Sequence, residues 1–443
     1  MILYLYIFLK KKKKKPPQIH TYIYIYTYTT QIMSNFKTDD DIDFKKFVQK
    51  CLIDKENVDI NNCIILKDSL SETALDLEYE RLKKELYSKG SILEHSKSKQ
   101  PNYIVFKESS FNKSLKFNKN DINFQIHAYV PENLQDIIDD NETYKNIPIY
   151  IGIHGAGSSS FTFNTLCSHL QNIDPNIIFL TYDLRGHGLT DSTNLKDITF
   201  NLDDFVGDTN EIITYFLKEI FKENDLPKKS SILLLGHSLG GSICATILSH
   251  KTTPTNEDYF WRKNILGLIL LDIVEEIAID SLDKMDIVIQ RTPTTFPNIK
   301  QCLNWHLGNK LPGNYDSAKF SIPYLFKLCN LKDDKYYLKR ITKFKDFKPF
   351  WNTWFVGLSD NFVNAKGACK LLILSGADER TKNLDKQLII GQMQGKYQLT
   401  IFNNGGHFIH EDCDFNVALT IAEFVKRNDN KLFDIKTNWK SLQ

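Results

Sequence analysis

An apolar run that ends on a serine between glycines, "SSILLLGHSLGGS" at 230–242, constrains this chain more than any other stretch. Small residues on both sides of a serine let the backbone pass from a strand into a helix through a tight, strained turn. That turn leaves the hydroxyl exposed at the top of a sheet. The competing reading is a glycine-rich turn that happens to hold a serine, and GxSxG by itself does not separate the two. Context does: the elbow needs a strand before it and a helix after it. The residues 232–235, "ILLL", supply the strand, and "GGSICATILSH" can continue as a helix.

The same rhythm runs through the flanking sequence. "IPIYIGIHGAGSSS" and "NIIFLTYDLRGHG" are apolar runs that end in glycine-containing loops, as parallel strands covered on both faces do. "NDINFQIHAYV" alternates like a strand with one wet face. In "LDDFVGDTNEIITYFLKEIF", Phe205, Ile212, Ile213, Phe216 and Ile220 fall near helical spacing, with Asp203 or Asp204 as the N-cap. "NILGLILLDIV", "ACKLLILSGADER", "KYQLTIFNNGGHFIHED" and the helical "DFNVALTIAEFVKR" complete the alternation. Strands alternating with helices predict an α/β domain over 101–430, with a mainly parallel sheet flanked by helices. A segment at about 280–365 breaks the rhythm. It is mostly helical in texture and holds three of the five tryptophans, Trp305, Trp351 and Trp354. We read it as a helical cap over the strand ends, its aromatics serving as core or as a substrate wall.

What lies outside that domain carries no chemistry of its own. Residues 1–32 are low in complexity and include six consecutive lysines at 10–15. Their apolar start, "MILYLYIFL", is too short to span a bilayer, and the lysines follow it rather than precede it. The expectation is a dispensable segment ahead of an ordinary start at Met33, then a polar, partly helical extension over 33–100 and a tail at 431–443. The formal charge of the whole chain is +2, so without the lysine run it is net negative, unlike a nucleic-acid surface. Eight scattered cysteines with no CxxC pair read as free thiols in a reducing compartment. A cytoplasmic or nuclear location is expected, with no stable membrane association.

An acyl-transfer serine needs an imidazole to take its proton and a carboxylate to orient that imidazole. In α/β-hydrolases the chain order is serine, acid, histidine. Downstream of Ser238 there are four histidines: His250, His306, His407 and His410. His250 lies at the far end of the elbow helix, His306 lies inside the cap, and His410 suits a structural place at the start of the last helix. His407 follows "TIFNNGG", after the last strand and before the last helix, where the base belongs. The oxyanion donors expected are the backbone N–H of Leu239, the residue after the serine, and that of Ala156 in "HGAGSSS". That loop lacks the lysine of a P-loop and the GxGxxG spacing. "DLRGHG" at 183–188 reads as architecture, with His187 structural rather than substrate-touching. Two aspartates can serve as the acid, Asp272 at the end of "LILLD" and Asp378 after "LLILSGA", and the residues alone leave both open.

Taken together, "GHSLGGS", "LLDIVEEIAIDSL", "RTPTTFPNIKQCLNW", "SAKFSIPYL", "FWNTWFVGLSDNF", "LLILSGADERTKNLDKQLIIGQMQGKYQL" and "GGHFIHED" resemble the protein phosphatase methylesterase family, over roughly residues 101–426. The resemblance implies an α/β-hydrolase fold with a cap. It also implies a serine carboxylesterase that demethylates the C-terminal leucine of the protein phosphatase 2A catalytic subunit without a metal or organic cofactor. By motif it carries the catalytic triad onto Ser238, Asp272 and His407, and so selects Asp272 as the acid. The family usually has methionine where Leu239 stands, a change that leaves the backbone donor in place. "DYFWRKN" at 258–264 lengthens the connection after the elbow helix.

Overall fold

The computed structural model describes residues 109–139, 146–192, 198–222, 226, 230–249, 259–330, 336–376 and 384–429. The expectations for residues 1–100 and 431–443, and those for His250 and Asp378, lie outside these.

The described residues open with β1 (Lys113–Lys119), β2 (Ile122–Tyr129) and β3 (Ile147–Ile153), then α1 (Asn164–Ile173), β4 (Ile178–Tyr182), the short β5 (Asp191–Ser192) and α2 (Leu202–Phe221). The elbow region follows as β6 (Ser230–His237), α3 (Leu239–Ser249) and β7 (Ile265–Leu271). These strands, with β11 and β12 introduced below, form a sheet of order β1-β2-β4-β3-β6-β7-β11-β12, with β5 paired to β2. From β4 to β12 every pairing is parallel, and β2 runs antiparallel to both β1 and β4. Every residue of β3, β4 and β6 is buried, which is why these strands read as unbroken apolar runs. Successive side chains of a strand point to opposite faces. Ile232 and Leu234 of β6 therefore join the core beneath α2 and α3, while Leu233 and Leu235 join the core beneath α1 and the last helix.

Two local expectations differ from the structure. The α2 helix is capped by Asn201, whose backbone N–H is taken by the Asp204 carboxylate at 2.9 Å, so the two aspartates sit inside the first turn. Strand β2 has no wet face along most of its length. Gln125 and His127 on its polar side are buried, and the His127 ring packs edge-on against Phe161 with centroids 4.7 Å apart. The cover comes from a turn at Ser160–Phe163 and from Tyr324 of the insertion, elements that β2's own pattern could not announce.

The insertion fills the chain between β7 and β11. It holds α4 (Glu275–Leu282), α5 (Met285–Arg291), β8 (Thr295–Phe296), α6 (Ile299–Gly308), α7 (Tyr315–Ser321), β9 (Phe326–Asn330), β10 (Tyr336–Arg340) and α8 (Leu358–Asn364). It is therefore not only helical: β8, β10 and β9 form an antiparallel three-stranded sheet in that order. Strands this short carry too little alternation to be separated from loops in sequence. The body resumes with β11 (Cys369–Ser375), α9 (Lys386–Met393), β12 (Gln398–Phe402) and α10 (Asp414–Asn428).

Candidate active site

Ser238 sits between β6 and α3 with φ of 52°, in the left-handed region that a non-glycine residue enters only at a cost of ~1–3 kcal/mol. The neighbours enforce this: a Cβ on Gly240 would lie 2.0 Å from the Ile153 carbonyl oxygen, so only glycine fits there. The turn is pinned by the Ser238 N–H donating to Leu271 O at 3.2 Å and the Gly241 N–H donating to Ser238 O at 2.8 Å.

Asp272 follows β7 directly, also with a left-handed φ of 50°. Its N–H donates to Ile373 O at 2.8 Å, so β11 holds the carboxylate in place. One side-chain oxygen accepts the Ser375 N–H at 2.8 Å. The other lies 2.9 Å from Nδ1 of His407, in the loop after β12. With Nδ1–H donated to the carboxylate, Nε2 is the nitrogen left free to exchange a proton. His237, next to the serine, lies with its ring centroid 4.7 Å from that of His407 and donates from Nε2 to the His407 carbonyl at 2.9 Å. Burial and the nearby imidazoles of His410 and His407 hold His237 well below the usual imidazole range, so it stays neutral.

Ser238, Asp272 and His407 line one cavity of about 170 Å³, together with Ala156 and Gly157 of the loop after β3. Neither the Ala156 nor the Leu239 N–H has a protein acceptor among the described residues. The Ala156 loop is braced from behind. His187 accepts the Gly157 N–H at 2.9 Å on Nε2 and donates from Nδ1 to Arg185 O. His154 accepts the Leu184 N–H at 3.0 Å and donates to Gly155 O. Burial lowers both histidines, His187 to about 4, so each keeps the neutral form that can accept. The rest of "DLRGHG" is likewise architectural. Asp183 takes the Ser160 and Leu189 N–H groups at 2.7 Å, and Arg185 clamps Asp208 through two hydrogen bonds.

The remaining histidines fall away from the serine's proton path. His410 is fully buried and paired with Thr162 Oγ1 at 2.8 Å. His306, buried on α6 of the insertion, lines the cavity but is committed to Arg340 and to Cys302 O. Trp305 and Trp354 line the cavity, whereas Trp351 packs into the core. Most of the cavity wall is apolar and comes from the insertion, through residues such as Val274, Met285, Val288 and Phe355. Sequence reasoning missed Arg340 and Phe344 on this wall, because "YYLKR" and "FKDF" carry no motif. Among the described residues no group of His, Cys, Asp and Glu is placed to hold a metal ion, and no helix is long and apolar enough to cross a membrane. A hydroxyl on the cavity wall, an imidazole oriented by a carboxylate and two unspent backbone donors suit acyl transfer through a covalent acyl-enzyme.

Comparisons with known proteins bear on the family and the fold. A family model described as "Alpha/beta hydrolase family" matches residues 151–418. A protein of Candida glabrata named "Protein phosphatase methylesterase 1" is 40% identical over 333 residues, spanning 74% of this chain and 80% of the relative. A Saccharomyces cerevisiae protein of the same name is 42% identical over 296 residues, spanning 66% and 70%. Among solved structures, an E-2-(acetamidomethylene)succinate hydrolase matches with a TM-score of 0.51 at 14% identity, covering 71% of this chain and 99% of that one, a likeness of fold alone.

Proposed function

The chain belongs to the alpha/beta hydrolase family and, within it, to the protein phosphatase methylesterases, and from that membership we propose that it removes the methyl ester from the C-terminal leucine of the protein phosphatase 2A catalytic subunit. It is a carboxylic-ester hydrolase. The observation that carries the mechanism is the 2.9 Å contact between Asp272 and His407 in the cavity that Ser238 also lines.

In the proposed reaction Ser238 Oγ attacks the ester carbonyl as His407 Nε2 takes its proton, and Asp272 stabilises the imidazolium. The Ala156 and Leu239 N–H groups receive the oxyanion. Methoxide is a poor leaving group, so His407 protonates it as the tetrahedral intermediate collapses to the acyl-enzyme. Water then attacks the acyl carbon with His407 as base, releasing the free carboxylate and restoring the serine. The apolar cavity suits a leucine side chain.

Loss of methyl label from purified methylated phosphatase tests the reading directly. Wild-type protein releases the label, and Ser238→Ala slows turnover by roughly 10⁴-fold or more while staying folded. Efficient hydrolysis of long-chain triglycerides with no release of label from the phosphatase would reverse the assignment.

A further inference from the structure

Arg340 ends β10 on the cavity wall and is buried, 7% exposed. It has no acidic partner among the described residues. One guanidinium nitrogen, Nη2, bonds His306 Nε2 at 2.9 Å, and Nε reaches Pro293 O at 3.4 Å. His306 donates from Nδ1 to Cys302 O at 2.8 Å, which fixes Nε2 as the acceptor. A guanidinium has five N–H donors, so among the described residues Nη1 and half of Nη2 have no protein acceptor. The rings of Phe326 and Phe344 lie 4.6 and 5.8 Å from its central carbon. They orient the group and supply no acceptor oxygen.

An isolated charge in an apolar wall costs free energy unless something pairs with it. Burial accordingly lowers the Arg340 pKa to about 10, which still leaves it charged at neutral pH. The one carboxylate on the cavity wall among the described residues, Asp272, is already committed to His407 and Ser375, so it does not serve as the partner. Arg340 shares the cavity wall with Ser238, Asp272 and His407. A Cβ on Gly157 would lie 2.4 Å from the Phe344 ring, so the ring that Arg340 faces at 5.8 Å also packs against the loop that carries Ala156.

We propose that Arg340, held by His306, is a carboxylate-binding subsite of the ester cavity, forming a forked pair with an anionic oxygen pair of the bound peptide. The inference rests on the reading that the substrate is a peptide α-methyl ester. Two sources offer that chemistry: an acidic side chain close to the esterified end, or the C-terminal carboxylate that hydrolysis itself creates. The first gives sequence preference, the second product retention.

The test compares short peptide methyl esters that differ only by Asp against Asn at one of the three positions before the esterified residue. In a second arm, the matching peptide acid and peptide amide are tried as inhibitors. Wild-type protein should favour the carboxylate in one arm by roughly 10-fold or more, through KM or Ki, the size expected for a charge-assisted hydrogen bond. Preference in the first arm assigns the side chain, and preference in the second assigns the product. Arg340→Met should reduce the ratio to about 1. Arg340→Lys, which keeps the charge and loses the fork, should retain a smaller preference, and it serves if the methionine variant does not fold. Equal values for carboxylate and amide in both arms with wild-type protein, or an unchanged ratio in Arg340→Met, overturn the subsite. Hydrolysis of the Asn peptide esters by wild-type protein reports separately on the underlying reaction.

Discussion

Asp272 concentrates what a single residue can decide here. Its two carboxylate oxygens are divided between Ser375 N–H and His407 Nδ1, and its backbone is held in the left-handed region by a hydrogen bond to β11. In Asp272→Asn the amide can still accept the Ser375 N–H, so the strand ends stay joined. The NH₂ group, however, faces His407 and favours the tautomer with a lone pair on Nδ1 and hydrogen on Nε2, which cannot take the serine proton. Turnover should fall by about 10⁴-fold with an unchanged circular dichroism spectrum. Asp378→Asn should cost far less. An active Asp272→Asn paired with a dead Asp378→Asn would move the acid to Asp378. At this scale sequence went a long way, because GxSxG and the glycine-flanked histidine are local patterns with a local steric cause.

Elements are also joined by residues whose linking role their own motif does not announce. Glu275 opens α4, and its carboxylate accepts the Gly357 N–H at 2.8 Å and the Ser359 N–H at 2.7 Å. It thereby takes up two of the orphan donors at the start of α8, a capping role filled from a different helix. Just before Gly357 in the chain lie Trp354 and Phe355, which line the cavity. Glu275→Ala should cost about 1–3 kcal/mol in urea unfolding, because two partly buried N–H groups lose their acceptor. It should also raise KM as the aromatic wall loosens. The neighbouring Glu276 is exposed, and its replacement by alanine should stay within ~0.5 kcal/mol. Equal effects of the two substitutions would remove the cross-helix cap. The period of the apolar residues revealed most of the body's strands and helices, since burial on a known face is written in spacing. It did not reveal the β8-β10-β9 sheet, whose pairing is a property of three separated segments.

Across the whole molecule, Glu411 ties the body to the insertion. It is fully enclosed, with one oxygen accepting from Ser317 and Ser321 of the α7 helix at 2.7 Å each and the other from Thr162 on the body. Burial pushes its carboxyl from 4.5 up to about 7 despite those hydroxyls. His410, on the same Thr162, is lowered to about 3 by burial and remains neutral. Below about pH 4.5 Glu411 is protonated in both folded and unfolded chains, and its contribution to stability is greatest. As pH rises through about 7 the unfolded chain has already released the proton and the folded chain is forced to, so that contribution is lost. Glu411→Gln, neutral at every pH, should flatten this trend. The stability difference between wild type and variant should shift against wild type by on the order of 3 kcal/mol between pH 4.5 and 8. Thermal melts of both proteins across that range check it, and parallel curves would refute a buried, protonated Glu411.

The sequence by itself determined the α/β alternation, the strained turn at Ser238 and the loop that carries His407. Each follows from interactions among residues close in the chain: face periodicity, glycine sterics and turn chemistry. Tertiary structure decided that Asp272 meets His407 from 135 residues away, which the residues by themselves left open, that the polar side of β2 is covered, and that Arg340 faces the cavity with no acidic partner among the described residues. A local pattern records that a face is to be buried or a charge placed. What buries or pairs it arrives from a distant segment, and only packing the elements together brings the two into contact.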